Sequence, residues 1–267
     1  MAKFTKAPVF YVVAQVTHSP ILKLDSLIPD LQERLRKDGF PGYRVHKQSV
    51  VEVRQDPSNL SDTAVDVLEE TTYIFSSRDQ TESLLVNPRS VSYQTVEYGT
   101  FDSFQEKFER GISAVSDVLA PDSFTRIGLR FLDAVVPLEG ADLAAYVKTQ
   151  FFGLKNILGE DWLTAYTFSE TVVMRDGRQV KVRAIMRSSS LSFPPDLAPT
   201  APPIPERFRS IEGVHALLDS DASFTADNES PQDFDKTNIM ARLRELKADI
   251  RDTFYAVVTD VALNDWS

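Results

Sequence analysis

The chain has 267 residues and no cysteine, and its 39 acidic against 29 basic side chains give a formal net charge of −10. The lack of cysteine excludes disulfides, cysteine zinc sites and thiol chemistry, and the hydrophobic fraction of 42% excludes a disordered chain. An acidic surface repels phosphate backbones, so non-specific binding of nucleic acid is not expected.

The N-terminal part of the sequence predicts a strand followed by a helix. Residues 9–16 are rich in Val, Phe and Tyr, which favours a strand. Apolar residues at helical spacing then predict a helix that is capped by Asp25 or Ser26, has Pro29 in its first turn and stops at Gly39.

Several strands and a second helix are predicted to complete the first half. Four stretches have strand composition: 45–54, 71–77, 83–87 and 90–98. The polar turn 78–80 joins the middle two as a hairpin. Apolar residues at helical spacing over 101–119 predict an amphipathic helix with Thr100 or Asp102 as its cap.

The second half predicts a similar order of elements. Strands are expected over 124–136, 164–174, 179–187 and 214–224. The Asp176-Gly177 dipeptide between two of these strands is a strong hairpin signal. Helical segments are predicted over 142–158, broken near Gly153, and over 235–262.

Because the order strand, helix, strands, helix occurs twice, we predict two related halves over 1–121 and 122–267. They are expected to form one structural unit of the α+β class, with a mainly antiparallel sheet and helices packed on one side. The proline-rich segment 193–206 predicts a stiff, exposed loop inserted into this unit.

The sequence also bears on location. It has no apolar stretch near eighteen residues, so no membrane span is predicted. The apolar run near the N-terminus is short and is followed by Gln15, Thr17 and His18, which does not fit a signal peptide. A cytoplasmic protein is therefore expected.

Four segments carry a resemblance to a known family: KAPVFYVVAQV, LIPDLQERLRKDGFPGY, TRIGLRFLDAV and VVTDVALNDW. Together they resemble a family of uncharacterised prokaryotic proteins of about this length, sporadically distributed among bacteria and archaea. Its best motif here is RIGLRF at 126–131; the family usually has Asn at the position of Asp133 and often His near Lys247. The family implies no reaction, but its distribution implies an accessory role, such as defence or toxin neutralisation.

A basic surface is the main candidate site. Five residues are predicted to line one sheet face: Arg126, Arg130, Lys181, Arg183 and Arg187. Guanidinium groups suit carboxylate or phosphate recognition, and Gly128 between the first two would allow a close approach. The alternative is a solvated face whose charges are paired with acidic residues. If Arg130 binds the partner, Arg130→Glu is expected to abolish binding without unfolding the protein.

Asp219 and Asp221 form a second candidate, because strand neighbours two apart share a face. Paired carboxylates can bind a hard cation or divide acid and base roles. A metal site requires a further ligand, and the spacing selects none among Glu170, Asp176 and Asp133. The alternative is a charged strand end in solvent.

Catalytic signatures are otherwise missing from the sequence. The three histidines have no zinc-binding spacing, and neither a nucleophile elbow nor a phosphate-binding loop is present. The leading hypothesis is a non-enzymatic binding protein of an accessory system, without a cofactor, that engages a protein or an anionic ligand. The alternatives are a metal-dependent phosphodiesterase or nuclease using Asp219 and Asp221, and a structural subunit whose surface is consumed by oligomerisation.

Overall fold

The computed structural model describes residues 4–56, 59–158, 161–227 and 230–267, and one antiparallel sheet runs through it. Its strands are β1 (Val9–His18), β2 (Gly42–Asp56), β3 (Asn59–Ser76), β4 (Glu82–Asn87), β5 (Ser90–Thr95), β6 (Ser123–Val135), β7 (Tyr166–Arg175), β8 (Arg178–Ser188), β9 (Val214–Thr225) and β10 (Gln232–Asp233). Their order across the sheet is β2-β3-β4-β5-β1-β6-β9-β8-β7, and the short β10 lies beside β6.

The described part of the chain contains five α-helices. They are α1 (Leu24–Lys37), α2 (Phe101–Leu119), α3 (Glu206–Arg209), α4 (Lys236–Val257) and α5 (Asp260–Trp266). With the large antiparallel sheet, they confirm the α+β class. None of these helices has both the length and the apolar composition needed to cross a bilayer.

The main core lies between the sheet and the three long helices. Leu31 of α1, Phe108 of α2 and Leu243 of α4 are fully buried in the same apolar cluster as Val12 of β1 and Leu129 of β6. These helices present the apolar stripes that the sequence predicts. They leave the opposite face of the sheet free of long helices, and the candidate site lies there.

The two predicted halves meet at the centre of the sheet. β1 and β6 pair antiparallel from Val9 opposite Asp133 to His18 opposite Phe124. The other neighbour of β1 is β5, and the other neighbour of β6 is β9. Each half thus brings a later strand back beside its first one, while a common origin of the halves stays a prediction.

The proline-rich loop lies against the face of the sheet that carries no long helix. Phe193 packs against Phe10 and Tyr11 of β1, with ring centroids 5.6 and 5.2 Å apart. Further along the loop, Leu197 and Ile204 are also partly buried against this smaller apolar cluster. Apolar side chains between the prolines therefore attach the loop to the sheet, although the segment predicts an exposed loop.

Two helical predictions are wrong in detail. Residues 142–158 form three short 3₁₀ turns instead of α-helix: Leu143–Ala145, Thr149–Phe151 and Gly153–Asn156. The long C-terminal helix is interrupted at Val258, which is extended and forms an isolated bridge with Val147. Lys148 N–H donates to the carbonyl of Val257 at 2.9 Å. The 3₁₀ segment thus hydrogen-bonds to the last carbonyl of α4, where the helix ends.

Local signals have mixed outcomes. Thr100 caps α2 by accepting from the Ser103 N–H at 3.2 Å, and Asp176 and Gly177 turn the β7–β8 hairpin with φ of 50° and 74°, both as predicted. By contrast, α1 begins at Leu24 without a side-chain cap, so the cap predicted there is wrong. Pro29 consequently lies in the second turn of α1.

Candidate functional site

A polar groove of about 520 Å³ lies on the face of the sheet that carries no long helix, beside the proline-rich loop. Cross-strand neighbours build its floor: Gln15 of β1 lies opposite Ser92 of β5 on one side and Gly128 of β6 on the other. Gln15 Nε2 donates to Ser92 Oγ at 3.1 Å. The centre of the sheet therefore presents amide and hydroxyl groups here instead of apolar side chains.

The basic residues predicted on one sheet face do share it. In the register of β6, β9 and β8, Arg130 lies opposite Asp221, and Asp221 lies opposite Lys181. One step along the same face, Asp219 lies opposite Arg183. Since residues directly opposite one another in an antiparallel sheet point the same way, acidic and basic side chains alternate on this surface.

Arg130 is buried and fully engaged by acidic residues. Its Nε and Nη2 donate to the two oxygens of Asp219 at 2.7 and 2.8 Å, and its Nη1 donates to Asp196 of the proline-rich loop at 2.5 Å. Burial works against the charged guanidinium, but these bonds outweigh it and raise the pKa of Arg130 further. Arg130→Glu is instead expected to destabilise the fold, because it would place a third carboxylate between Asp219 and Asp196.

Arg183 is paired in a similar way. It donates to Asp219 at 2.9 Å and to Glu170 of β7 at 2.7 Å. Asp219 thus bridges two guanidinium groups and is itself buried. Arg130 and Arg183 therefore match the alternative interpretation, in which the basic residues of this face are paired with acidic neighbours. Neither guanidinium keeps two unengaged nitrogens for a ligand. Arg187, the last predicted basic residue, donates to Ser192 Oγ at 2.7 Å.

Arg126 differs from these arginines. It is half-buried in the groove and makes no hydrogen bond or ion pair within the described residues. Its guanidinium lies over Gly128, where an added Cβ would come within 3.0 Å of Nη1. The space left by the missing side chain of Gly128 is therefore used by Arg126, whereas the sequence predicts that a ligand or a backbone uses it.

Asp221 is a half-buried acid of the groove. The described residues provide it with no hydrogen-bond or ion-pair partner. Burial raises its pKa, and the positive charges of Arg130 and Arg126 act in the opposite direction. Asp219 and Asp221 share a face, as predicted, yet no group of three or more metal-ligating side chains occurs in the part of the chain that the structure describes.

The far wall of the groove comes from β2, β3 and β4. His46 and Thr72 face the groove together with Glu70, which accepts from Gln48 Nε2 at 2.9 Å and from Asn87 Nδ2 at 3.0 Å. Among the described residues, Glu70 is held by neutral amides and has no ion pair. The wall therefore adds both donors and acceptors and extends the polar surface across the first half.

Sequence reasoning missed most of these groove residues. A signal was present in β5, where Ser90, Ser92 and Gln94 alternate with buried Val91 and Tyr93. Polar residues at alternate positions of a central strand indicate that one face of the sheet is apolar and packs in the core, while the other makes polar contacts. Asp196 had no such signal, because its place over Arg130 depends on how the proline-rich loop crosses the sheet.

A second pair of perturbed charges lies under α4. Asp133 of β6 is only 5% exposed, and burial raises its pKa to about 7 against the opposing effect of Lys247. Burial lowers the pKa of Lys247, whose Nζ lies 4.4 Å from the ring centre of Phe131. Neither residue lines the polar groove, and the burial of their charges makes the pair a determinant of stability.

Comparisons with models of protein families and with curated proteins gave no match for this chain.

Proposed function

We propose that this protein is a non-enzymatic binding protein of an accessory prokaryotic system, and that its polar groove receives an anionic group of a protein partner or small ligand. One observation carries the proposal: Arg126 is half-buried in the groove and makes no hydrogen bond or ion pair among the described residues. A guanidinium in this state retains its hydrogen-bond donors, which suit a carboxylate or phosphate.

The surroundings of Arg126 favour a polar ligand. Arg130 and its acidic partners hold β6, β9 and the proline-rich loop in place around the groove, so the Arg126 donors are presented on a fixed frame. Asp221 is close enough to interact electrostatically with Arg126 and offers two acceptor oxygens. A carboxylate next to an N–H donor, as in an acidic peptide segment, would satisfy both groups at once.

The experiment is an affinity purification of the tagged protein at native expression, with co-purifying proteins and small molecules identified by mass spectrometry. Arg126→Ala is compared with Arg110→Ala, which changes an exposed arginine on α2, on the helix-covered face of the sheet. We expect a stoichiometric partner with the wild type and with Arg110→Ala, and its loss with Arg126→Ala while the circular dichroism spectrum is unchanged. A partner that is retained equally by Arg126→Ala would refute this site.

A further inference from the structure

β7 is one edge of the sheet, and no strand of the described residues pairs with its outer side. It pairs with β8 over ten residues, from Tyr166 opposite Arg187 to Arg175 opposite Arg178, without a register shift. An edge strand of this length presents a row of free backbone N–H and C=O groups. A bulge-free edge is flat enough to accept a further strand.

The side chains along this edge are unusually apolar for an exposed strand. On β7, Tyr166 is 72% and Phe168 54% exposed, and Trp162 just before the strand is 69% exposed. Seven further large apolar residues of the region are also exposed: Leu154, Ile157, Leu158, Leu163, Val172, Val173 and Met174. Isolated exposed apolar residues are ordinary, but a concentration of this kind marks an interaction surface.

The exposed area suits a stable interface. An aromatic side chain can bury about 150–250 Å², so the exposed parts of the three aromatic residues amount to roughly 300–500 Å². The aliphatic residues bring the region toward the roughly 800 Å² per partner of a standard interface. A second copy brings the same exposed aromatic side chains to this edge, whereas a short peptide strand from another protein does not.

The charges of β7 are neutralised within its own chain. Glu170 accepts from Arg183 at 2.7 Å, and Arg175 is ion-paired with Asp249 of α4. The strand contains no proline and no lysine, the residues with which proteins commonly block edge pairing. A second copy can therefore approach this edge without meeting an uncompensated charge on β7 itself.

At the opposite edge of the sheet, the described part of β2 is protected by basic side chains. β2 carries Arg44, His46 and Lys47 within four residues, and Lys47 is exposed and paired with Glu69 across the strand at 3.2 Å. Basic side chains on an edge strand discourage the addition of another strand. With one open and one protected edge, association through β7 closes after two copies and does not continue into a fibre.

We propose that two copies of this chain form a dimer by pairing their β7 strands antiparallel around a twofold axis. Any strand can pair antiparallel with the same strand of a second copy. Both copies therefore use the same surface, and no complementary surface elsewhere on the chain is needed. The axis stands perpendicular to the sheet, and the two sheets join into one. Both polar grooves then face the same side of the dimer, which presents two binding sites to one partner surface.

The test is the molar mass in solution, measured by sedimentation velocity and by light scattering after gel filtration between 1 and 100 μM protein, roughly the range over which protein dimers assemble. The wild type is expected at twice the chain mass of 30.0 kDa. Phe168→Lys and Met174→Lys each place a positive charge on the open edge and are expected to give monomers. Leu22→Lys is the matched control, because Leu22 is 95% exposed on the loop before α1, and it is expected to remain dimeric.

Three outcomes would overturn the proposal. A wild-type monomer throughout the concentration range is one, and dimers that persist in both lysine variants are another. A wild-type monomer whose co-purifying protein is lost in Phe168→Lys would assign the edge to a foreign strand instead of a second copy. The dimer does not depend on Arg126, so Arg126→Ala is expected to dimerise whether or not the groove binds a partner.

Discussion

Arg130 of β6 donates two parallel hydrogen bonds to Asp219 of β9, from Nε at 2.7 Å and from Nη2 at 2.8 Å. The residue directly opposite Arg130 is Asp221, so the guanidinium reaches diagonally past its own neighbour. Arg130 and Asp219 are 7% and 1% exposed, and Asp196 closes the remaining side of the guanidinium. A buried ion pair of this geometry fixes the positions of both side chains. Each charge needs the other, because either one alone would be buried without compensation.

Removing Arg130 is therefore expected to be costly. Arg130→Ala leaves Asp219 buried with Arg183 as its remaining cation and releases Asp196 with the proline-rich loop. Breaking a buried ion pair by removing one partner costs about 3–5 kcal/mol. Urea unfolding measures the free energy, and Arg110→Ala on the surface is the control, expected to change it by less than about 0.5 kcal/mol. A loss below about 1 kcal/mol for Arg130→Ala would contradict this role.

Asp133 is expected to make stability depend on pH. Its carboxyl faces Lys247 of α4, Lys247 interacts in turn with Arg251, and Tyr98 is near both Asp133 and Asp102. Because burial raises the pKa of Asp133 from 3.8 to about 7, the folded state holds the proton more tightly than the unfolded chain. Stability from this group is complete below pH 4 and is lost as the pH rises to about 7.

The corresponding variant is Asp133→Asn, which keeps the shape and cannot ionise. A shift of about three pKa units corresponds to on the order of 4 kcal/mol, so the variant should gain up to that amount over wild type at pH 8 and little at pH 4. Urea unfolding at both pH values tests this, with the exposed Asp30→Asn as the control. If the free energy of unfolding depends on pH in the same way for Asp133→Asn and wild type, the pKa of Asp133 is not raised in the folded state.

The sequence predicts most strands and the amphipathic helices because their signals are local. The alternation in β6, the helical stripe of α2 and the Asp176-Gly177 turn each depend on residues close in the chain. The break at Val258 could not be predicted this way, since the bridge to Val147 joins residues more than a hundred positions apart. The same limit applies to 142–158, where helical spacing is present but the backbone forms 3₁₀ turns.

The sequence predicts which residues of the candidate site share one face of the sheet. It does not predict which of them pair with one another. Alternation places Arg126 and Arg130 on one side of β6, and the register confirms it. Which arginine is vacant depends on the pairing of β6 with β9 and on the position of Asp196, both set by long-range contacts. For this reason the sequence favours Arg130 as the test residue, while the geometry selects Arg126.

Gly111 marks the closest approach between α2 and the sheet. A Cβ at this position would come within 2.5 Å of Leu84 Cδ1 on β4, and Leu84 is fully buried. Gly111→Ala gains up to about 1 kcal/mol of helix propensity, but overpacking of a buried contact costs about 1–3 kcal/mol. We expect a net destabilisation in thermal and urea unfolding. Ser116→Ala on the exposed side of α2 is the control, and a stabilised Gly111→Ala protein would mean that Leu84 moves freely.

The pair Asp219 and Asp221 is expected to bind no divalent cation, which tests the enzyme alternative. Asp219 already accepts three guanidinium N–H groups, and the positive charges of Arg126, Arg130 and Lys181 act on Asp221. A cation would have to displace the arginines from Asp219 and enter a field of like charge. Calorimetric titration with Mg²⁺ and Mn²⁺ should give only the heat of dilution, for wild type and for Asp221→Asn alike. Saturable binding in the wild type that disappears in Asp221→Asn would favour the phosphodiesterase or nuclease over the binding protein, because the carboxylates would then hold a metal in preference to Arg130 and Arg183.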